Sequence, residues 1–145
     1  MTLVPDGFAV PAVVVAEPFR LELLGPVHNE PDHDAWMSSI AHIRATPGFD
    51  RGWPPPDGMT LAANLADLEN HADRSARRVD FAYSVLDAAT GEVVGCVYLT
   101  PTGGPGEVKV ASWVRASRAE LDGPLVETVT AWLDRSWPFT AVHYR

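Results

Sequence analysis

Lysine occurs once in these 145 residues, at Lys109, and cysteine once, at Cys96. A protein that grips nucleic acid by its phosphates needs several cationic contacts on one face. With 11 basic residues against 19 acidic ones and a formal net charge of −8, the chain has no such stripe. That excludes nucleic acid as a partner and argues against an anionic membrane surface; the acidity reads as solubility. A lone cysteine forms no intrachain disulfide and fits a reducing, cytoplasmic compartment. Cys96 follows Gly95 inside an apolar run, so it reads as a small buried hydrophobe rather than a nucleophile. Long apolar runs are lacking too. The run over residues 8–16 is broken by Pro11 and preceded by Asp6, so it is neither a secretory signal nor a membrane span. No G-x-S-x-G, H-E-x-x-H, P-loop or Rossmann signature is present.

What the chain does have is enough length for one domain over residues 1–145, with residues 1–16 as a loosely attached leader. The 13 prolines and 11 glycines gather in loops. Residues 12–16 read as an extended edge segment. Phe19-Arg20-Leu21-Glu22-Leu23 alternates apolar and charged, the period of a half-buried strand. Asn29 or Asp32 caps a first helix whose apolar face is Trp36, Ile40 and Ile43. A stiff surface loop follows over residues 48–58, with Pro54-Pro55-Pro56 at its centre. Thr60 is an N-cap for a second helix with a stripe of Leu61, Leu65, Leu68 and Ala72. Asn64, Asp67, Glu69, His71 and Arg74 then face outward, and the helix frays over residues 74–78.

Residues 81–86 and 93–99 form a hairpin whose turn uses Gly91 for a positive φ. On the strand over residues 108–115, Val108, Val110, Ser112 and Val114 share one face; Lys109, Ala111, Trp113 and Arg115 share the other. A last helix carries Leu125, Val126, Val129, Trp132 and Leu133, and a short strand over residues 140–144 follows. The order β-α-α-β-β-β-α-β predicts an α/β (α+β) domain. Its sheet is mixed and largely antiparallel, flanked by helices, with the last strand parallel to its neighbour.

Two polar groupings invite chemistry. His28, Glu30, Asp32, His33 and Asp34 are ligand types, but their spacing matches no closed zinc site, so no metal is expected and a solvated helix cap explains them. Asp67 and His71, four apart, read as a surface pair on the second helix.

The element order resembles the GNAT N-acetyltransferase superfamily over about residues 17–145. The resemblance is carried by five stretches. They are residues 60–71 (Thr60-Leu61 to Asn70-His71), Phe81-Ala82-Tyr83-Ser84-Val85-Leu86-Asp87, Gly95-Cys96-Val97-Tyr98-Leu99, Ser112-Trp113-Val114-Arg115, and Ala131-Trp132. It implies a divergent, C-terminally shortened member, since the family usually continues with a helix and two strands that often hold a tyrosine acting as acid. In that family an amine attacks the thioester of acetyl-CoA directly. Strand backbone pairs with the pantetheine, and a loop reading Arg/Gln-x-x-Gly-x-Gly/Ala holds the diphosphate. The resemblance assigns cosubstrate contacts to Trp113, Val114 and Arg115 on the strand and to Arg118 and Gly123 in the loop. Glu107 takes the place of the catalytic base, Tyr144 or His143 that of the acid, and Trp53 walls the acceptor pocket.

The loop departs from the pattern, because Glu120 and Asp122 stand where glycine is wanted. Like charges 4 Å apart at an effective dielectric of about 20 cost about 4 kcal/mol, so these carboxylates oppose acetyl-CoA. Two readings therefore stand open: an acyl-CoA-dependent N-acetyltransferase of a small amine, and a non-catalytic GNAT-fold binding or interaction protein with a degenerate phosphate loop. A homodimer is a further expectation, since the last strand leaves a sheet edge open and open edges recruit other chains.

Overall fold

The computed structural model describes residues 2–145. A six-stranded sheet has its strands in chain order: β1 Val13–Ala16, β2 Phe19–Leu23, β3 Phe81–Asp87, β4 Val93–Pro101, β5 Glu107–Val114 and β6 Ala141–Tyr144. The first five pair antiparallel, and β6 runs parallel to β5. Short turns join β3, β4 and β5, as antiparallel neighbours allow; the return to β6 needs the crossover helix α4, Asp122–Ser136. At the β3–β4 hairpin Gly91 has φ +78°, the left-handed value its turn requires.

The period-2 pattern sorts side chains to two faces. Val108, Val110 and Val114 join Phe81, Tyr83 and Val85 in a core under α4, where Leu125, Val129, Trp132 and Leu133 meet them. Ala111, Trp113 and Cys96 face the other way and pack with Trp36, Ile43, Phe49 and Leu68. Burying each such side chain stabilises the fold by about 1.5–3 kcal/mol.

Helices α1 Asn29–Met37, α2 Ile40–Arg44 and α3 Leu61–Ala76 cover this second face. The single first helix expected from Trp36, Ile40 and Ile43 is two. Ser38 Oγ donates to the Ala35 carbonyl, and Ser39 departs from helical geometry with φ −137° and ψ 19°. Ser39 Oγ then accepts the Ala116 N–H at 2.8 Å, tying the break to the segment after β5. Local serine bonding of this kind competes with the helical ladder.

Thr60 caps α3 as expected, its Oγ1 accepting from Ala63 N. The expected face is rotated, however. Leu61 and Leu65 are 39% and 36% exposed, while Asn64 is 3% exposed. Nor does the tail of α3 lose its hold, since Arg74 Nε donates to Asp80 Oδ2 at 2.8 Å.

The leader is not loose. Val4 is buried in the α4 core, and Leu3, Phe8 and Val10 pack against it. Arg78 donates to the Phe8 carbonyl at 2.9 Å, and Tyr83 OH donates to the Pro11 carbonyl at 2.6 Å. No helix among the described residues is long and apolar enough to cross a membrane.

Candidate functional site

Strands β5 and β6 part company partway along β5. Pairing with β6 runs from Glu107↔Ala141 to Val110↔Tyr144. Residues 111–114 stay paired to β4 alone, from Tyr98↔Ala111 to Gly95↔Val114. In a strand, successive backbone groups point to alternate sides. The Arg115 N–H turns to the Val94 carbonyl, whereas the Ser112 carbonyl turns to the open side and accepts from Arg145 Nη2 at 3.2 Å.

Two cavities meet at this parting. One, of about 430 Å³, lies between β4–β5 and the helices, with Asp32, Asn64, Asp67 and His71 on its helical wall and Tyr98, Thr100, Lys109 and Ala111 on its sheet wall. The other, of about 380 Å³, follows the β5–β6 edge past Thr102, Val110, His143, Tyr144 and Arg145. Gly48, Lys109 and Ala111 line both. Gly48 has φ +96°, the left-handed region that favours glycine, and a Cβ there would lie in ordinary contact with the Ala111 Cβ at 3.5 Å.

The first cavity has an aromatic lining. Trp53 sits 5.5 Å from Trp36, 6.0 Å from Phe49, 6.4 Å from Tyr98 and 6.2 Å from Trp113, between ring centroids. Trp53 thus both packs the proline loop down and walls the cavity. Trp113 is buried in this cluster, its Nε1 donating to Tyr98 OH at 3.0 Å.

Beneath the rings lies a buried polar seam between α1 and α3. Trp36 Nε1 donates to Asn64 Oδ1 at 3.1 Å. Asn64 Nδ2 donates to Asp32 Oδ2 at 3.1 Å and to Asn29 Oδ1 at 2.9 Å. Burial pushes the Asp32 carboxyl up to about 6, against the Asn64 hydrogen bond that holds it down. His71, 5.8 Å from the Tyr98 ring, is pushed below the ordinary histidine value by burial, against the pull of Asp80 and Asp67. The cavity therefore offers a carboxyl group that takes up a proton at about 6 and an imidazole held toward its neutral form.

Glu107 lines neither cavity; its carboxylate accepts from Thr102 Oγ1 at 3.0 Å and faces His143 Nε2 at 3.5 Å. Val114 is buried in the α4 core. The Arg115 guanidinium turns to Asp34 and the Val93 carbonyl, away from the β5–β6 gap. Arg118 pairs with Glu92 Oε1 at 2.7 Å and Asp87 Oδ2 at 3.2 Å. Gly123 lies in the first turn of α4. Tyr144 does line the second cavity, bonded to Ser112 Oγ, and burial raises its hydroxyl so that it stays protonated.

The polar cluster near residue 30 disperses. His28 meets Glu22, His33 meets the Met59 carbonyl, Asp34 meets Arg115, and Asp32 turns inward.

The expected phosphate loop is a 3-10 turn, Ala116–Leu121. Its Ala116 N–H goes to Ser39 and its Arg118 N–H to the Arg115 carbonyl. Asp122 is neutralised by Arg145, which donates to both of its oxygens at 2.6 Å.

No family model and no curated protein matches the sequence. Solved structures do. The RimL ribosomal L7/L12 alpha-N-protein acetyltransferase in complex with coenzyme A superposes with a TM-score of 0.70 at 11% identity, over 88% of this chain and 70% of that one. A ribosomal-protein-S5-alanine acetyltransferase from Vibrio fischeri gives 0.67 at 11% identity, over 86% and 68%. A GCN5-related N-acetyltransferase from Brucella melitensis gives 0.68 at 16% identity, over 96% and 61%. The chain has the GNAT acetyltransferase fold.

Proposed function

We propose that this protein transfers an acyl group from a coenzyme A thioester to a small amine. The observation that carries the reading is the meeting of two cavities where β5 leaves β6, with a buried carboxylate and a neutral imidazole on one side of the junction. The acetyltransferase neighbours and the architecture shared with them support acyl transfer, and one of those structures is a complex with coenzyme A.

The open edge of β5 fits an extended amide-bearing chain, because the Ser112 carbonyl faces it with only a side chain as its partner. At the far end, Arg145 cancels the charge of Asp122 beside the start of α4, and exposed Glu120 faces Arg118 Nε at 3.7 Å, so both carboxylates opposed to a diphosphate have a cation near them. The Arg145 guanidinium is the cation best placed to exchange that partner for a phosphate oxygen. An acyl-CoA bound there supplies an electrophilic carbonyl and a thiolate leaving group.

On the acceptor side, Asp32 attracts the ammonium form and takes its proton; a base poised near the working pH is what general-base catalysis favours. His71 is a second acceptor for that proton. The aromatic wall of Phe49, Trp53 and Tyr98 excludes water and attracts cations. Tyr144, kept protonated by burial, is the donor available to the departing sulfur.

The experiment is a thiol-release assay with acetyl-CoA and a panel of small primary amines. Amine-dependent release that drops about 100-fold or more in Asp32→Asn supports the reading. Release that is independent of amine and of Asp32 defeats it.

A further inference from the structure

Lys109 is the sole lysine of the chain and, among the described residues lining the first cavity, its sole lysine or arginine. It stands where the two cavities join. A plain monoamine arriving at that junction meets a like charge. An amine that carries a carboxylate beside its nitrogen does not. Asp67 and Asp32 line the same cavity, and the rings of Phe49, Trp53 and Tyr98 form its apolar part. One cationic group, two acids and an aromatic wall complement a zwitterion with an apolar body.

From this juxtaposition, and resting on the acyl-transfer reading above, we infer that the acceptor is an α-amino acid with an apolar or aromatic side chain, its carboxylate bound by the Lys109 ammonium. The ammonium gives one proton to Asp32 or His71, and the freed nitrogen forms the C–N bond to the acyl carbon; it sheds a second proton as the amide forms, which balances the one the thiolate takes up. The C–S bond breaks, its electron pair stays on sulfur, and the thiolate takes up a proton. One N-acyl amino acid and one free coenzyme A leave for each thioester consumed.

Matched pairs test this: L-phenylalanine against phenethylamine, and L-leucine against isopentylamine, with acetyl-CoA. The amino acid is expected to be favoured about 10- to 100-fold in kcat/KM, the range of one charge-assisted hydrogen bond. Lys109→Gln should collapse that ratio toward one, chiefly through KM, and Lys109→Arg should restore part of it. Equal use of both members of each pair, or a ratio that Lys109→Gln leaves intact, overturns the inference while transfer itself stands. Calorimetric titration of L-phenylalanine into the protein without any thioester reads the same site independently of catalysis. Heat that is lost in Lys109→Gln supports the site even where transfer fails; no heat, or equal heat in both proteins, overturns it.

Discussion

Asn64 holds the Asp32 carboxylate at 3.1 Å from the facing helix, while its own carbonyl oxygen is held by Trp36. One side-chain amide thus joins the aromatic cluster to the acid, and both of its polar ends are used. The bond lowers the carboxyl's proton affinity; burial raises it further than the bond lowers it, to about 6.

A raised carboxyl has a defined effect on stability. Asp32 is favoured in its protonated form by the folded state, so its contribution is most favourable below the ordinary value of 3.8 and worsens as pH rises toward about 6, then levels off. The shift corresponds to about 3 kcal/mol at neutral pH. Asp32→Asn should therefore melt higher than the parent at pH 7.5, with the gap closing near pH 4, while transfer activity falls. Thermal melts across that pH range, run beside the thiol-release assay, check both. A melting point that drops at pH 7.5 together with activity would make Asp32 structural.

Asn64→Leu should be destabilising although it buries a larger apolar side chain. It leaves the Trp36 N–H without its acceptor and Asp32 without its donor, at about 1–3 kcal/mol for each stranded group. The Asp32 titration should then move above about 6, since the bond that opposes burial is gone. Chemical denaturation and the acid limb of the rate profile read the two effects separately.

Asp122 and Arg145 should act in opposite directions on thioester binding. Arg145→Ala removes a cation beside the start of α4 and is expected to weaken acetyl-CoA binding about 10-fold. Asp122→Asn removes an anion and frees Arg145, so it should tighten binding by a similar factor. Titration of both variants with acetyl-CoA measures this; equal affinities across the three proteins would remove the pair from the site.

Gly48→Ala should cost about 1–2 kcal/mol, because φ +96° is unfavourable for a residue with a Cβ. The added methyl reaches Ala111 only at the ordinary contact distance of 3.5 Å, so kcat/KM should fall no further than the loss of stability accounts for. Kinetics at a temperature well below the melting point separate the two.

The sheet was legible because period-2 alternation reports directly which side is buried. The split of residues 108–114 between the two cores follows the pattern of Val108, Val110 and Val114 against Ala111 and Trp113. Apolarity alone turns Leu61 and Leu65 of α3 inward, whereas both are exposed. Asn64 goes inside since Trp36, Asn29 and Asp32 satisfy its amide, and partners some 30 positions away leave no periodic mark. For the same reason the local pattern puts His71 on the surface and Asp32 among solvated neighbours, whereas both line the first cavity. Trp53 lines the first cavity; an aromatic in a proline-stiffened loop has few ways to be covered. The hold on the leader depends on Arg78 and Tyr83, distant in sequence and silent as a local signal.

Calorimetric titration with acetyl-CoA bears most directly on whether the open edge of β5 takes a thioester. Saturable binding with a Kd below about 100 µM, weakened by Arg145→Ala, is the expected result. No heat at millimolar acetyl-CoA would contradict acyl transfer and leave a GNAT fold put to another use.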